Sequence, residues 1–172
     1  MSIIHFMSNP ITLELSNYKY LSPMLVINDD INNWIRILLF NYFHQDNVHL
    51  ILNMIIFYKI GKNIEERLKV LNYASLIFNL SILVGLLILI IRLILFLITE
   101  NRYYYNHNII GFSGVLYSLT YIFLYNIHYN HILVIQHIFY EFVLNYVLFP
   151  EASMIAHISG ILIGILIAPI IC

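Results

Sequence analysis

Three short patterns in this sequence carry residues able to do chemistry. In Gly111-Phe112-Ser113-Gly114 glycines flank a serine where an apolar run begins. Small neighbours let another backbone approach the hydroxyl, and a helix N-terminus offers unpaired N–H groups and a favourable field for a developing oxyanion. In Ala156-His157-Ile158-Ser159-Gly160, which continues to Gly164, a histidine stands beside small residues at 156, 160 and 164, a spacing that lets one helix press against a neighbour. A serine and an imidazole brought within hydrogen-bond reach make a nucleophile and its general base. Tyr117 falls four residues after Ser113 on the same helical face, placed to stack on that imidazole and orient it. No Asp or Glu lies at a depth suited to the task.

The third pattern is His44, His49 and Asn53. His49 and Asn53 share a helix face, so both can point at one spot, where two side-chain donors would stabilise the anionic oxygen of a tetrahedral intermediate. His44 precedes the helix and anchors the loop before it. Taken singly, each pattern also fits a plainer use. A serine between glycines makes a close helix contact, Tyr117 fills an interface, and the histidines sit at the headgroup level. The soluble hydrolase elbow does not fit, because Val115 stands where its last glycine belongs.

The elements that must position these residues are membrane helices. Hydrophobic residues make up 61% of the 172 positions and charged residues 10%, against about 25% charged in an ordinary soluble domain. The lipid bilayer is therefore an obligatory partner. Net charge is −1 and the basic residues form no dense patch, which points away from nucleic acid. A single cysteine, Cys172, leaves no intrachain disulfide and no cysteine metal site. Apolar stretches at Val48–Ile60, Val70–Thr99, Ile109–Asn126, Ile132–Phe149 and Ile155–Cys172 predict five spans, the first of them short and carrying Asn53. The segment KIGKNIEERLK is the densest Lys/Arg cluster and belongs on the cytosolic side. Alternation from there puts TENRYYYNHN and FPEAS on the far side and NIHYNH in the cytosol. Asn53, Ser113 and His157 then all lie within about two turns of the extracytosolic ends of their helices. Polar groups gathered at one depth in hydrocarbon mark a functional site by default.

Together these patterns resemble the rhomboid intramembrane proteases. FHQDNVHLILNM is similar to the family's His-x4-His-x3-Asn, GFSG to its G-x-S-G, and AHISGILIG to its A-H-x-x-G-x-x-x-G, in the same order and helix context. NNWIRILL resembles the family's Trp-containing loop and GKNIEERL its Gly-x3-Glu helix end, with Lys69 where a glycine often follows. The likeness covers roughly residues 32–168. It implies Ser113 as nucleophile, His157 as base, and His49 with Asn53 as oxyanion donors helped by the Ser113 N–H. FHQDNVHL, IGFSGVLYSL and LFPEASMIAHISGILIG look closest to an endoplasmic-reticulum subgroup. The family core has six helices, and the first is missing from residues 1–31, where SIIHFM and PMLVI are too short to span. Either the chain is incomplete, the favoured explanation, or it is an unusual five-span variant.

The expectation is thus an all-α polytopic transmembrane bundle, rhomboid-like, with residues 1–31 as an extramembrane segment and 32–172 as the membrane domain. It would be a multi-pass serine endopeptidase, of the endoplasmic reticulum membrane by the subgroup likeness, that cleaves transmembrane helices of membrane-protein substrates through Ser113 and His157. His44, Gly111, Gly114, Tyr117, Gly160 and Gly164 would support them, with no cofactor or metal. The sequence leaves the oligomeric state open. One rival is a catalytically inactive relative that binds membrane helices in quality control; another is a metal site of His44, His49 and His157, which lacks suitable second-shell carboxylates.

Overall fold

The computed structural model describes residues 17–27, 31–128, 130–148 and 153–171. The SIIHFM run, all of the FPEAS loop but Ser153, and Cys172 lie outside the described residues. Among the described residues eight α-helices follow one another: α1 (Pro23–Ile27), α2 (Arg36–Leu39), α3 (Asn47–Leu68), α4 (Val70–Thr99), α5 (Arg102–Asn106), α6 (Ser113–His128), α7 (His131–Leu148) and α8 (Met154–Ile171). Short 3-10 turns at Ile31–Ile35 and Phe40–Tyr42 flank α2.

The five long helices are the five predicted spans, with shifted ends. Among the described residues α4 and α8 are long and apolar enough to cross a membrane by themselves. Helix α3 runs eight residues beyond the predicted Ile60, because its second half, with Lys59, Lys62, Glu65, Glu66 and Arg67, keeps helical geometry after its apolar run stops. Asp46 caps its start by accepting from the His49 N–H at 2.8 Å. The span predicted from Ile109 begins only at Ser113. Ile109 instead exchanges two backbone hydrogen bonds with Leu21, both 2.9 Å, and Gly111 adopts φ +121°, which no helix continues through. The predicted loop TENRYYYNHN contains the helix α5.

Helix α6 is the axis of the bundle. Every residue from Gly114 to Ile122 is buried, and its sixteen residues span only about 24 Å. Such a short, Tyr-, Ser- and Thr-bearing helix suits a membrane interior only because other helices enclose it. The outer helices carry the opposite pattern: Ile55 on α3, Ile90 and Leu97 on α4, and Phe139 and Tyr140 on α7 all point outward. That much exposed apolar surface is a lipid-facing wall rather than a solvated one.

Helix α8 packs most intimately on α6, and the small residues explain how. A Cβ on Gly160 would run into the Gly114 carbonyl oxygen, and one on Gly164 would come 2.6 Å from the Tyr121 Cβ. One on Gly114 would come 3.0 Å from the Ala156 carbonyl. The Ala156, Gly160, Gly164 series therefore brings two backbones together, as its spacing predicts. At the opposite end of the bundle α3 turns into α4 through Lys69 alone, at φ 66° and ψ 156°, a conformation that glycine adopts freely and lysine does not.

Candidate active site

Ser113 is the first residue of α6 and His157 lies one turn into α8. The close helix contact brings His157 Nε2 to 3.1 Å from Ser113 Oγ. Ser113 is half-buried and His157 buried, so the pair sits inside the bundle near one end with the hydroxyl still approachable. The Tyr117 ring lies against the imidazole with centroids 4.5 Å apart and planes at 35°. It occupies the place predicted from its four-residue offset.

Asn53 projects into the interior from the second turn of α3, and its Nδ2, fully buried, has no acceptor among the described residues. A buried amide donor without an acceptor is costly, and it becomes productive when an anionic oxygen arrives. The His49 ring lies against the loop leading to Ser113, 3.8 Å from where a Gly111 Cβ would stand. His44 meets His49 edge to face at 5.8 Å. Its imidazole is pushed down to about 4, first by burial and next by His49, against an opposing pull from Asp46. Among the described residues no three His, Cys, Asp or Glu side chains gather as a metal-ligand set.

The loop that delivers Ser113 is held from three sides. The Gly111 N–H donates to the Phe40 carbonyl at 3.1 Å, and Ile109 pairs with Leu21. Phe112 is buried edge to face on Phe57 at 5.4 Å, with Tyr42 beyond it at 6.3 Å. Arg92, the lone charge of α4, is fully buried; it donates from Nε to the Tyr104 carbonyl at 2.7 Å and from Nη2 to that of Tyr103 at 3.0 Å. This fastens α5, and so the start of the loop, to α4. Arg36 does similar work earlier, donating to Asn33 Oδ1 and to the carbonyls of Asn17 and Tyr20. Ser118, which the motifs do not include, donates across the helix contact to the Gly160 carbonyl at 2.8 Å.

A hydroxyl at a helix N-terminus, an imidazole within hydrogen-bond reach and a ring to orient it can together perform acyl transfer. Compared with known proteins, the chain matches the Rhomboid domain family over residues 32–172. It is 29% identical over 138 residues to the Rhomboid-like protein 14, mitochondrial, of Arabidopsis thaliana, an alignment covering 76% of this chain and 41% of that relative. The chain thus spans well under half the length of this relative. No solved structure matches it. The relative's name places it in mitochondria, which lends no support to an endoplasmic-reticulum home for this chain.

Proposed function

This chain belongs to the rhomboid family, and from that premise we propose that it is an intramembrane serine endopeptidase that cuts transmembrane helices of membrane proteins. The observation that carries the proposal is the 3.1 Å approach of His157 Nε2 to Ser113 Oγ within a membrane bundle. Ser113 Oγ attacks a peptide carbonyl as its proton passes to His157 Nε2. The tetrahedral oxyanion takes donors from Asn53 Nδ2, His49 and the unpaired N–H groups at the start of α6. Collapse expels the amine, which takes the proton from the imidazolium and leaves an acyl-Ser113 ester. Water, deprotonated by His157, then hydrolyses the ester and restores the pair. Tyr117 holds the ring in the plane this shuttle needs, the part a carboxylate plays in soluble triads. A substrate helix must unwind locally before its carbonyl can reach Ser113, which the half-exposed position of Ser113 at the bundle's end permits.

The test is cleavage of a model transmembrane substrate in proteoliposomes, together with labelling by a fluorophosphonate. The parent should cleave and be labelled, while Ser113→Ala should do neither. Cleavage persisting in both Ser113→Ala and His157→Ala would overturn the proposal, and a folded parent that neither cleaves nor is labelled would point to a helix-binding role instead.

A further inference from the structure

We infer that Ser118 is a positioning residue whose hydroxyl locks α8 on α6 at the height where His157 meets Ser113. The inference rests on the proposed protease function and adds to it a residue outside the catalytic motifs. A serine inside a membrane helix ordinarily returns its hydroxyl to the carbonyl four residues back in its own helix. Here that acceptor, the Gly114 oxygen, is 3.4 Å away, whereas the Gly160 oxygen on the other helix is 2.8 Å away. The shorter bond crosses the interface. Ser118 is completely buried, so no solvent competes for its hydroxyl.

The need for such a lock follows from how the two helices touch. The contact is close at three glycines: Gly160 meets the Gly114 carbonyl, Gly114 the Ala156 carbonyl, and Gly164 the Tyr121 Cβ and the Ser118 carbonyl. Glycines let the helices come this close but bring no side chain of their own to resist sliding along the axis. A directional hydrogen bond supplies what the glycines cannot. Its acceptor lies three residues after His157, on the same helix and less than one turn away. Any axial displacement of α8 is therefore shared almost rigidly by the Ser118–Gly160 bond and by the 3.1 Å approach of His157 to Ser113. Misplacement by about 1 Å is enough to cost about a hundredfold in rate. Loss of the lock allows a spread of registers, of which only a part is productive.

The experiment compares fluorophosphonate labelling rate, kcat and KM for a transmembrane substrate, and thermal unfolding in detergent. It uses the full chain as parent, Ser113→Ala, Ser118→Ala, Ser118→Cys and Ser81→Ala. Ser81 is an equally buried hydroxyl on α4, bonded within its own helix to the Ile77 carbonyl rather than across a helix contact. Ser118→Ala should slow labelling and lower kcat about tenfold while KM stays within about twofold. Ser118→Cys, a weak donor of nearly the same shape, should fall between parent and alanine. Ser81→Ala should lose as much thermal stability as Ser118→Ala yet label at the parent rate. Equal labelling of Ser118→Ala and parent would overturn the lock while leaving the protease intact, as would labelling that simply tracks thermal stability across all variants. A parent labelled no better than Ser113→Ala would instead remove the proposed function itself, and the lock with it.

Discussion

Helix α6 twice presents a hydroxyl with a tyrosine ring one turn on, and a neighbouring helix adds a histidine to each: α8 at its start and α7 further along. At its start His157 Nε2 lies 3.1 Å from the Ser113 hydroxyl, with the Tyr117 ring 4.5 Å from the imidazole at 35°. Toward its far end His131 Nδ1 lies 2.6 Å from the Tyr121 hydroxyl, with the Tyr125 ring 4.6 Å away at 36°. Ser113, Tyr117, Tyr121 and Tyr125 even follow each other at four-residue spacing along one stripe of the helix. The difference lies in what surrounds each pair. Ser113 opens the helix, where free N–H groups and the helix field favour an anion, whereas Tyr121 lies in its interior, closer to the end where that field is reversed. Gly111 leaves room in the loop before Ser113, and Asn53 holds a buried amide donor without an acceptor among the described residues. Tyr121 is completely buried and closed to any substrate. A histidine on a hydroxyl with a ring behind it is thus not by itself a site; under the proposed function, the helix end, the clearance at Gly111 and the Asn53 donor set the Ser113 pair apart.

The strongest way to break this comparison is to remove each histidine. His157→Ala should lower kcat/KM for a transmembrane substrate about a thousandfold, the usual contribution of a general base. His131→Ala should leave kcat/KM within about twofold and cost about 1 kcal/mol of stability, the scale of one hydrogen bond between membrane helices. A large activity loss in His131→Ala, measured in the same proteoliposomes, would show that the two ends are functionally coupled. Asn53→Ala comes next. It removes a donor that only the Ser113 end possesses, and it should lower kcat about a hundredfold with KM little changed. A change confined to KM would place Asn53 in substrate binding rather than at the oxyanion.

These contrasts also bear on how much was legible beforehand. The depth of Asn53, Ser113 and His157 followed from counting spans and reading one Lys/Arg cluster, and the small residues at 156, 160 and 164 announced the close α6–α8 contact. Tyr117 was readable from its offset alone. The start of α6 was not, because apolar Ile109 and Ile110 give a hydropathy signal that runs on through the loop, while the positive φ at Gly111 is invisible to it. Helix α3 was cut short for the converse reason, its charged second half carrying no apolar signal. Ser118 went unseen because a buried serine looks the same whether its hydroxyl returns to its own helix or crosses to another. Arg92 was visible as the lone charge of a 30-residue helix, and a buried guanidinium must find acceptors. That they would be the Tyr103 and Tyr104 carbonyls depends on how α5 folds back. Residues 1–16 lie outside the described residues, so the expected missing first helix is untouched by the structure.

Smaller effects sharpen the comparison through the backbone. Positive φ occurs at Gly111 near Ser113, at Glu100 after α4, and at Lys69 in the α3–α4 turn. Lys69→Gly should relieve strain and raise stability by about 1 kcal/mol in thermal unfolding, without changing cleavage. Gly111→Ala should do the reverse, straining the loop and reducing the labelling of Ser113. If Lys69→Gly destabilises the fold, the turn is held by its lysine side chain and not in spite of it.

The smallest expected effect belongs to His44. Burial, then the nearby His49, holds its imidazole down at about 4 in the folded protein, against 6.5 for the free group. The unfolded chain therefore binds a proton at His44 between pH 6.5 and 4 that the native fold excludes, and stability rises with pH wherever the unfolded state holds more protons. The contribution of His44 is complete above pH 6.5 and is progressively lost as pH falls toward 4. Because the group is only half-buried, solvent screening keeps the effect modest. Unfolding temperatures measured across that window should fall less steeply with acid in His44→Phe than in the parent. Parallel curves for the two would mean that acid acts on the Ser113 end through groups other than His44.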